Sequence, residues 1–150
     1  MNADEHLTEV HIWLRYARED LTAAESLLDV AGVAPRHICW LAQQAAEKAI
    51  KTILVFLQVD FPWRHDLDAL RLLLPDDWQM KREHPDLAFL TEWAVETRYP
   101  GNWPEATRDD AQMAVQQAQA VWTSVRADFV ARGFAHWFSE SDTVDDELDA

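Results

Sequence analysis

Residues 35–58 read PRHICWLAQQAAEKAIKTILVFLQ, and the spacing within them decides the fold. Ile38, Ala42, Ala45, Ala49, Ile53 and Phe56 recur at intervals of three and four, the period of one face of a helix. Pro35 stands in the first turn, where a helix tolerates proline. The alanines in the middle of the stripe let a second helix come close. The other side carries Gln44, Glu47, Lys48 and Lys51, with Glu47 and Lys51 in the favourable i,i+4 order. That side reads as the solvated face.

The same period extends outward in both directions. Residues 4–31 carry Leu7, Val10, Leu14, Ala17, Leu21, Ala24, Leu28 and Ala31, which predicts a long amphipathic helix with Gly32 as its C′ residue. Its acids, Glu9, Glu19, Asp20, Glu25 and Asp29, read as the wet side. Downstream, FPWRH at 61–65 breaks the periodicity. Asp66 is placed to cap a short helix over 66–74, which Pro75 ends. Residues 76–83 are polar and read as a loop. A helix over 85–98 carries Leu87, Leu90, Trp93 and Ala94 and stops at Pro100 and Gly101. The last long helix, 105–132, presents Ala111, Val115, Ala118, Trp122, Val125 and Phe129, and Gly133 ends it. FAHWF at 134–138 is expected to fold back. No segment shows sustained period-two alternation. The expected fold is all-α, an antiparallel helical bundle of about four to five helices over residues 1–138.

Composition narrows the function. The 150 residues carry a formal charge of −14. Six of those charges lie in the tail SESDTVDDELDA, residues 139–150, which has no base and is too polar to bury anything. It reads as a disordered acidic end. An acidic body argues against non-specific binding to nucleic-acid backbones. Three glycines, with no GxGxxG and no GxxxxGK[ST], exclude glycine-rich phosphate loops. No apolar run is long enough to span a bilayer, and the N-terminal MNADEHLTEV does not read as a secretory signal. Cys39 is the single cysteine, so no internal disulfide forms, and a cytoplasmic location is the default expectation. Between Ile38 and Trp40 it reads as a small packing residue.

Three stretches in order carry a resemblance. AQQAAEKAIKTILVFLQ (42–58), RHDLDALRLLL (64–74) and ETRYPG (96–101), ahead of a final long helix, resemble the HEPN domain family, "higher eukaryotes and prokaryotes nucleotide-binding". The likeness covers about residues 8–132. It implies an all-α bundle that forms homodimers. It also implies one of two roles: a metal-independent ribonuclease toxin, or a small protein acting with a minimal nucleotidyltransferase in a two-component, toxin–antitoxin-like system. Nucleotide binding is implied for the family as a whole.

The nuclease branch of that family carries an arginine, a four-to-six-residue spacer and a histidine near the start of the final helix. The pairing suits the chemistry: histidine moves the ribose 2′-OH proton, and arginine holds the scissile phosphate. Here YPGNW follows Arg98 and DDAQMAV follows Arg108, without a histidine. Arg132 and His136 are separated by only three residues, with Gly133 between them. The sequence therefore predicts a non-catalytic member, with the ribonuclease as the alternative.

The candidate ligand-binding residues are Arg98, Tyr99, His65, Lys48, Lys51 and Gln44. Arg98 has two readings. It complements the dipole at a helix end, or it offers a bidentate fork to a phosphate or a partner's carboxylate. Tyr99 either caps the core with its ring or joins Arg98 at a ligand. Gln44, Lys48 and Lys51, at i, i+4 and i+7, form either a solvated stripe or a pocket in which lysines meet phosphate. His65 packs on the second helix or bonds a loop carbonyl; facing Lys48 and Arg98, it would complete a local positive site. His6 and His11 do not share a face, and His37, His84 and His136 have no partner at metal-ligand spacing, so neither a metal nor another cofactor is expected.

Overall fold

The computed structural model describes residues 2–94 and 104–139. Six α-helices follow one another among them: α1 (Ala3–Leu27), α2 (Pro35–Phe56), α3 (Leu67–Leu72), α4 (Gln79–Glu83), α5 (Ala88–Thr91) and α6 (Arg108–Ala131), then a 3₁₀ turn at Ala135–Trp137. No strand occurs among the described residues. The all-α bundle read from the sequence is the fold. The acidic tail beyond Ser139, and with it the expectation of disorder there, lies outside the described residues, as do Arg98 and Tyr99.

Each long helix starts where its sequence says it should. Asn2 accepts from the Glu5 amide at 2.8 Å while Glu5 reaches back to the Asn2 amide, and Thr107 and Asp110 repeat the arrangement on α6. Asp66 caps α3, accepting from the amides of Asp68 and Ala69.

The second helix lies between its neighbours. It packs on α1 along one side and on α6 along another, with α3 and α5 against it as well. Ala42, Ala45, Ala46 and Ala49 are buried there, as the small-residue stripe requires for close helix approach. Cys39 is fully buried among them. Aromatic rings close one end of the core. Phe56 meets Trp78, Phe129 and Phe134 edge-on at 6.1, 5.3 and 5.5 Å, and Phe134 stacks on Trp137 at 4.2 Å. FAHWF thus folds back onto the bundle.

Four local readings are corrected. The first helix ends at Leu27, and Gly32 (φ +87°) sits in the turn beyond, not at C′. Residues 76–83 are not all loop. Asp128, buried on α6, accepts from the amides of Gln79 and Met80 at 2.7 and 2.9 Å, and so caps α4 from 48 residues away. Within 85–98, only Ala88–Thr91 is helical among the residues described. The acids of α1 are not all wet: Asp20 pairs with Lys48, and Glu25 pairs with Arg18 and Gln119. Near α4, the Lys81 ammonium, 2.8 Å from Asp76, holds that exposed carboxyl below its ordinary range.

Candidate functional site

The polar side of α2 is where the structure departs most from the sequence reading. Glu47 and Lys51 are buried, 5% and 3% exposed at their side chains, rather than solvated. The reason is geometric. Helices α1 and α6 cover α2 on two sides, and the segment after it returns across a third.

Glu47 is the hub. Its Oε1 accepts from His65 Nδ1 at 2.7 Å and from Gln43 Nε2 at 3.1 Å; its Oε2 accepts from Lys51 Nζ at 3.1 Å. Gln43 Nε2 also donates to the His65 carbonyl at 3.3 Å, and Gln43 Oε1 accepts from Gln44 Nε2 at 2.6 Å. A buried carboxylate is tolerated only when paired and hydrogen-bonded in this way. Because a carboxylate only accepts, Nδ1 carries a proton directed at Glu47. The His65 ring, 37% exposed and held at Nδ1 by a buried acid, has the geometry of a proton-transfer dyad.

The candidates therefore separate. Gln44, Lys51 and His65 belong to one network centred on Glu47. Lys48 does not join it: its ammonium lies 2.5 Å from Asp20 of α1. Both lysines are thus paired with carboxylates. Arg98 and Tyr99 lie outside the described residues. Gln43 and Glu47 were missed as a site. Glu47 drew attention only as the partner of Lys51, and nothing in helical periodicity says that the face would be covered.

The segment that covers it carries two more missed residues. Phe61 and Trp63 each place a ring 5.4 Å from Lys51 Nζ. Phe61 meets Trp13 of α1 edge-on at 6.3 Å.

A second polar network lies at α4 and α6. Ser124 Oγ donates to Glu83 Oε2 at 2.6 Å and lies within hydrogen-bond distance of His84 Nε2, at 2.8 Å. Burial pushes the His84 imidazole below its ordinary value. Ser124 is 2% exposed, and its hydroxyl donates to Glu83 and to the Ala120 carbonyl, so the triad joins α4 to α6 and holds the fold. Arg132 is also committed, to Asp77, to Asp128 and over the Trp78 ring at 3.6 Å. Among the described residues no three His, Cys, Asp or Glu side chains converge so as to hold a metal ion, and no helix is long and apolar enough to cross a membrane.

A family model for the HEPN domain matches residues 10–128, nearly the span over which the sequence motifs run. The chain belongs to the HEPN domain family. The crystal structure of an archaeal HEPN homologue is similar to it, with a TM-score of 0.57 at 26% identity, over 79% of this chain and 95% of that one. No curated protein matches the chain.

Proposed function

We propose that the chain is a non-catalytic HEPN protein: a homodimer that works by binding a minimal nucleotidyltransferase as its partner in a two-component, toxin–antitoxin-like system. A nucleotide is a secondary ligand in this reading. The observation that carries it is the neutralisation of Lys48 by Asp20 and of Lys51 by Glu47. Lysines already paired offer little to a phosphate, and a chain of charge −14 suits a protein surface better than a polyanion. The missing arginine–spacer–histidine motif supports the same reading, as does the engagement of Arg132 within the fold.

The test is a tagged pull-down from the native host at low salt, with retained proteins identified by mass. A stoichiometric nucleotidyltransferase-like protein is expected, and size-exclusion with light scattering is expected to give a dimer. Recovery of this chain alone would overturn the partner.

One observation favours a second reading, a metal-independent ribonuclease: the His65–Glu47 dyad. RNA cleavage that survives a chelator and is lost in His65→Ala would establish it over the first.

A further inference from the structure

Beside the Glu47 network lies an open cleft of about 680 Å³ between the start of α1 and the chain leaving α2. Its aromatic walls are Trp13, Phe61 and Trp63, its carboxylates are Glu9 and Asp60, and His6 stands at the rim. Neither lysine nor arginine lines it. His6 Nε2 is tied to the Val55 carbonyl at 2.8 Å, so the polar side chains left to a visitor are the neutral amide of Gln58 and the two acids, and the only charges among them are negative.

Trp63 is the unusual element. It is 89% exposed, the most of any large apolar side chain described. It is not merely loose at the surface. The Arg64 amide bonds the Pro62 carbonyl at 2.8 Å, a three-residue turn with the indole at its apex. One cation, Lys51, already lies within 5.4 Å of this ring and of Phe61. These rings thus already sit beside a positive charge inside the fold, and the indole still has most of its surface in solvent.

Aromatic faces beside carboxylates bind organic cations, above all the planar guanidinium, which stacks on an indole while a carboxylate takes its N–H groups. We infer that this cleft is a docking site for a partner protein and takes an arginine-bearing segment, with Trp63 as the stacking surface and Glu9 and Asp60 as the acceptors. Charge complementarity selects that occupant. A second copy of this acidic chain would bring like charge to the cleft, and a phosphate would meet two carboxylates. The inference rests on the partner-binding reading and specifies the chemistry of the surface that serves it.

The probe is the amidated peptide Gly-Arg-Gly-Arg-Gly, titrated calorimetrically into the full chain at low salt, with the Glu-for-Arg peptide as its control. The arginine peptide alone is expected to bind. Trp63→Ala should weaken it about tenfold, and the Glu9→Gln/Asp60→Asn pair should do so at least comparably. Asp29→Asn, an exposed acid outside the cleft, should leave it unchanged. Trp63 is so exposed that its removal leaves the fold intact, which circular dichroism checks. No binding overturns the inference. Equal weakening by Asp29→Asn, with Trp63→Ala silent, also overturns it, because the acidic surface as a whole would then be responsible. The pull-down separates the two levels: no partner on the wild-type chain defeats the proposed function, whereas a partner retained equally by Trp63→Ala defeats only this site.

Discussion

Two buried carboxylates, Glu47 on α2 and Asp128 on α6, are nearly equally hidden at 4% and 3% exposed, yet they do opposite things. Asp128 spends its hydrogen bonds on two backbone amides, those of Gln79 and Met80, with the Arg132 guanidinium farther off at 3.6 Å. Those amides open α4, whose N-cap residue Trp78 supplies no side-chain cap. Glu47 spends its oxygens on three side chains, of His65, Lys51 and Gln43. One acid builds a helix; the other organises side chains that can act or be replaced. Burial alone does not separate a structural acid from a functional one. The identity of the donors does.

The contrast predicts different responses to removal. Asp128→Ala leaves two amides without their acceptor, that of Met80 buried and that of Gln79 part-buried. It should cost roughly 4 kcal/mol, a large part of the stability of a domain this size, read as a fall in the denaturant midpoint. A second substitution at Arg132, its one side-chain partner, should not repair it, because the two amides would still lack an acceptor.

Glu47→Ala strands the Lys51 ammonium in the core and should cost about 3 kcal/mol. Here repair is available. The double variant Glu47→Leu/Lys51→Met removes both charges and should return to within about 1 kcal/mol of the wild type. A double variant as unstable as the single one would show that Glu47 is as structural as Asp128, and the comparison would collapse.

The His84–Ser124 link, which also ties α4 to α6, responds to pH. Burial depresses the folded-state pKa of His84 below its ordinary 6.5. The unfolded chain therefore binds the proton more readily in the window between the two values. Stability is at its fullest above pH 6.5 and declines as pH falls toward the depressed value. In His84→Gln that decline should flatten, measured as unfolding midpoints between pH 7.5 and 5. An unchanged slope would assign the pH dependence to other groups.

How much of this was legible in the sequence follows from how far apart the determinants lie. The three long helices, the caps at Asp66 and Gly133 and the HEPN motifs are local patterns of period, cap and spacing, and they were readable. The fourth helix was not, because its cap is Asp128, on another helix 48 residues on. The burial of Lys51 was not, because it depends on the segment after α2, with Phe61 packed against the core, folding back; FPWRH announced a break but not its destination. The hub at Glu47 was half legible: its i,i+4 partner was visible, while His65, 18 residues away, was visible only as a candidate in its own right. Period shows which face a residue is on, not what will cover that face.

The smallest effect sharpens the comparison at the two helix ends themselves. Helices α2 and α6 close with the same pair of bonds: Val59 N to Leu54 O and Gln58 N to Val55 O at one, Phe134 N to Phe129 O and Gly133 N to Val130 O at the other. Both need a left-handed residue at C′. On α6 it is Gly133, at φ +97°; on α2 it is Gln58, at φ +56°. A side chain there works against its own backbone, so Gln58→Gly should stabilise the protein by about 0.5–1 kcal/mol. The converse, Gly133→Ala, should cost about 1 kcal/mol through φ alone, since nothing lies within 4 Å of the added carbon. Gln58 also lines the aromatic cleft, and strain kept beside a binding surface often reflects what the side chain does there. Pairing the unfolding curve of Gln58→Gly with the arginine-peptide titration separates the two contributions. Greater stability with weaker binding would assign the glutamine to the cleft, whereas greater stability with unchanged binding would leave it as strain with no part in docking.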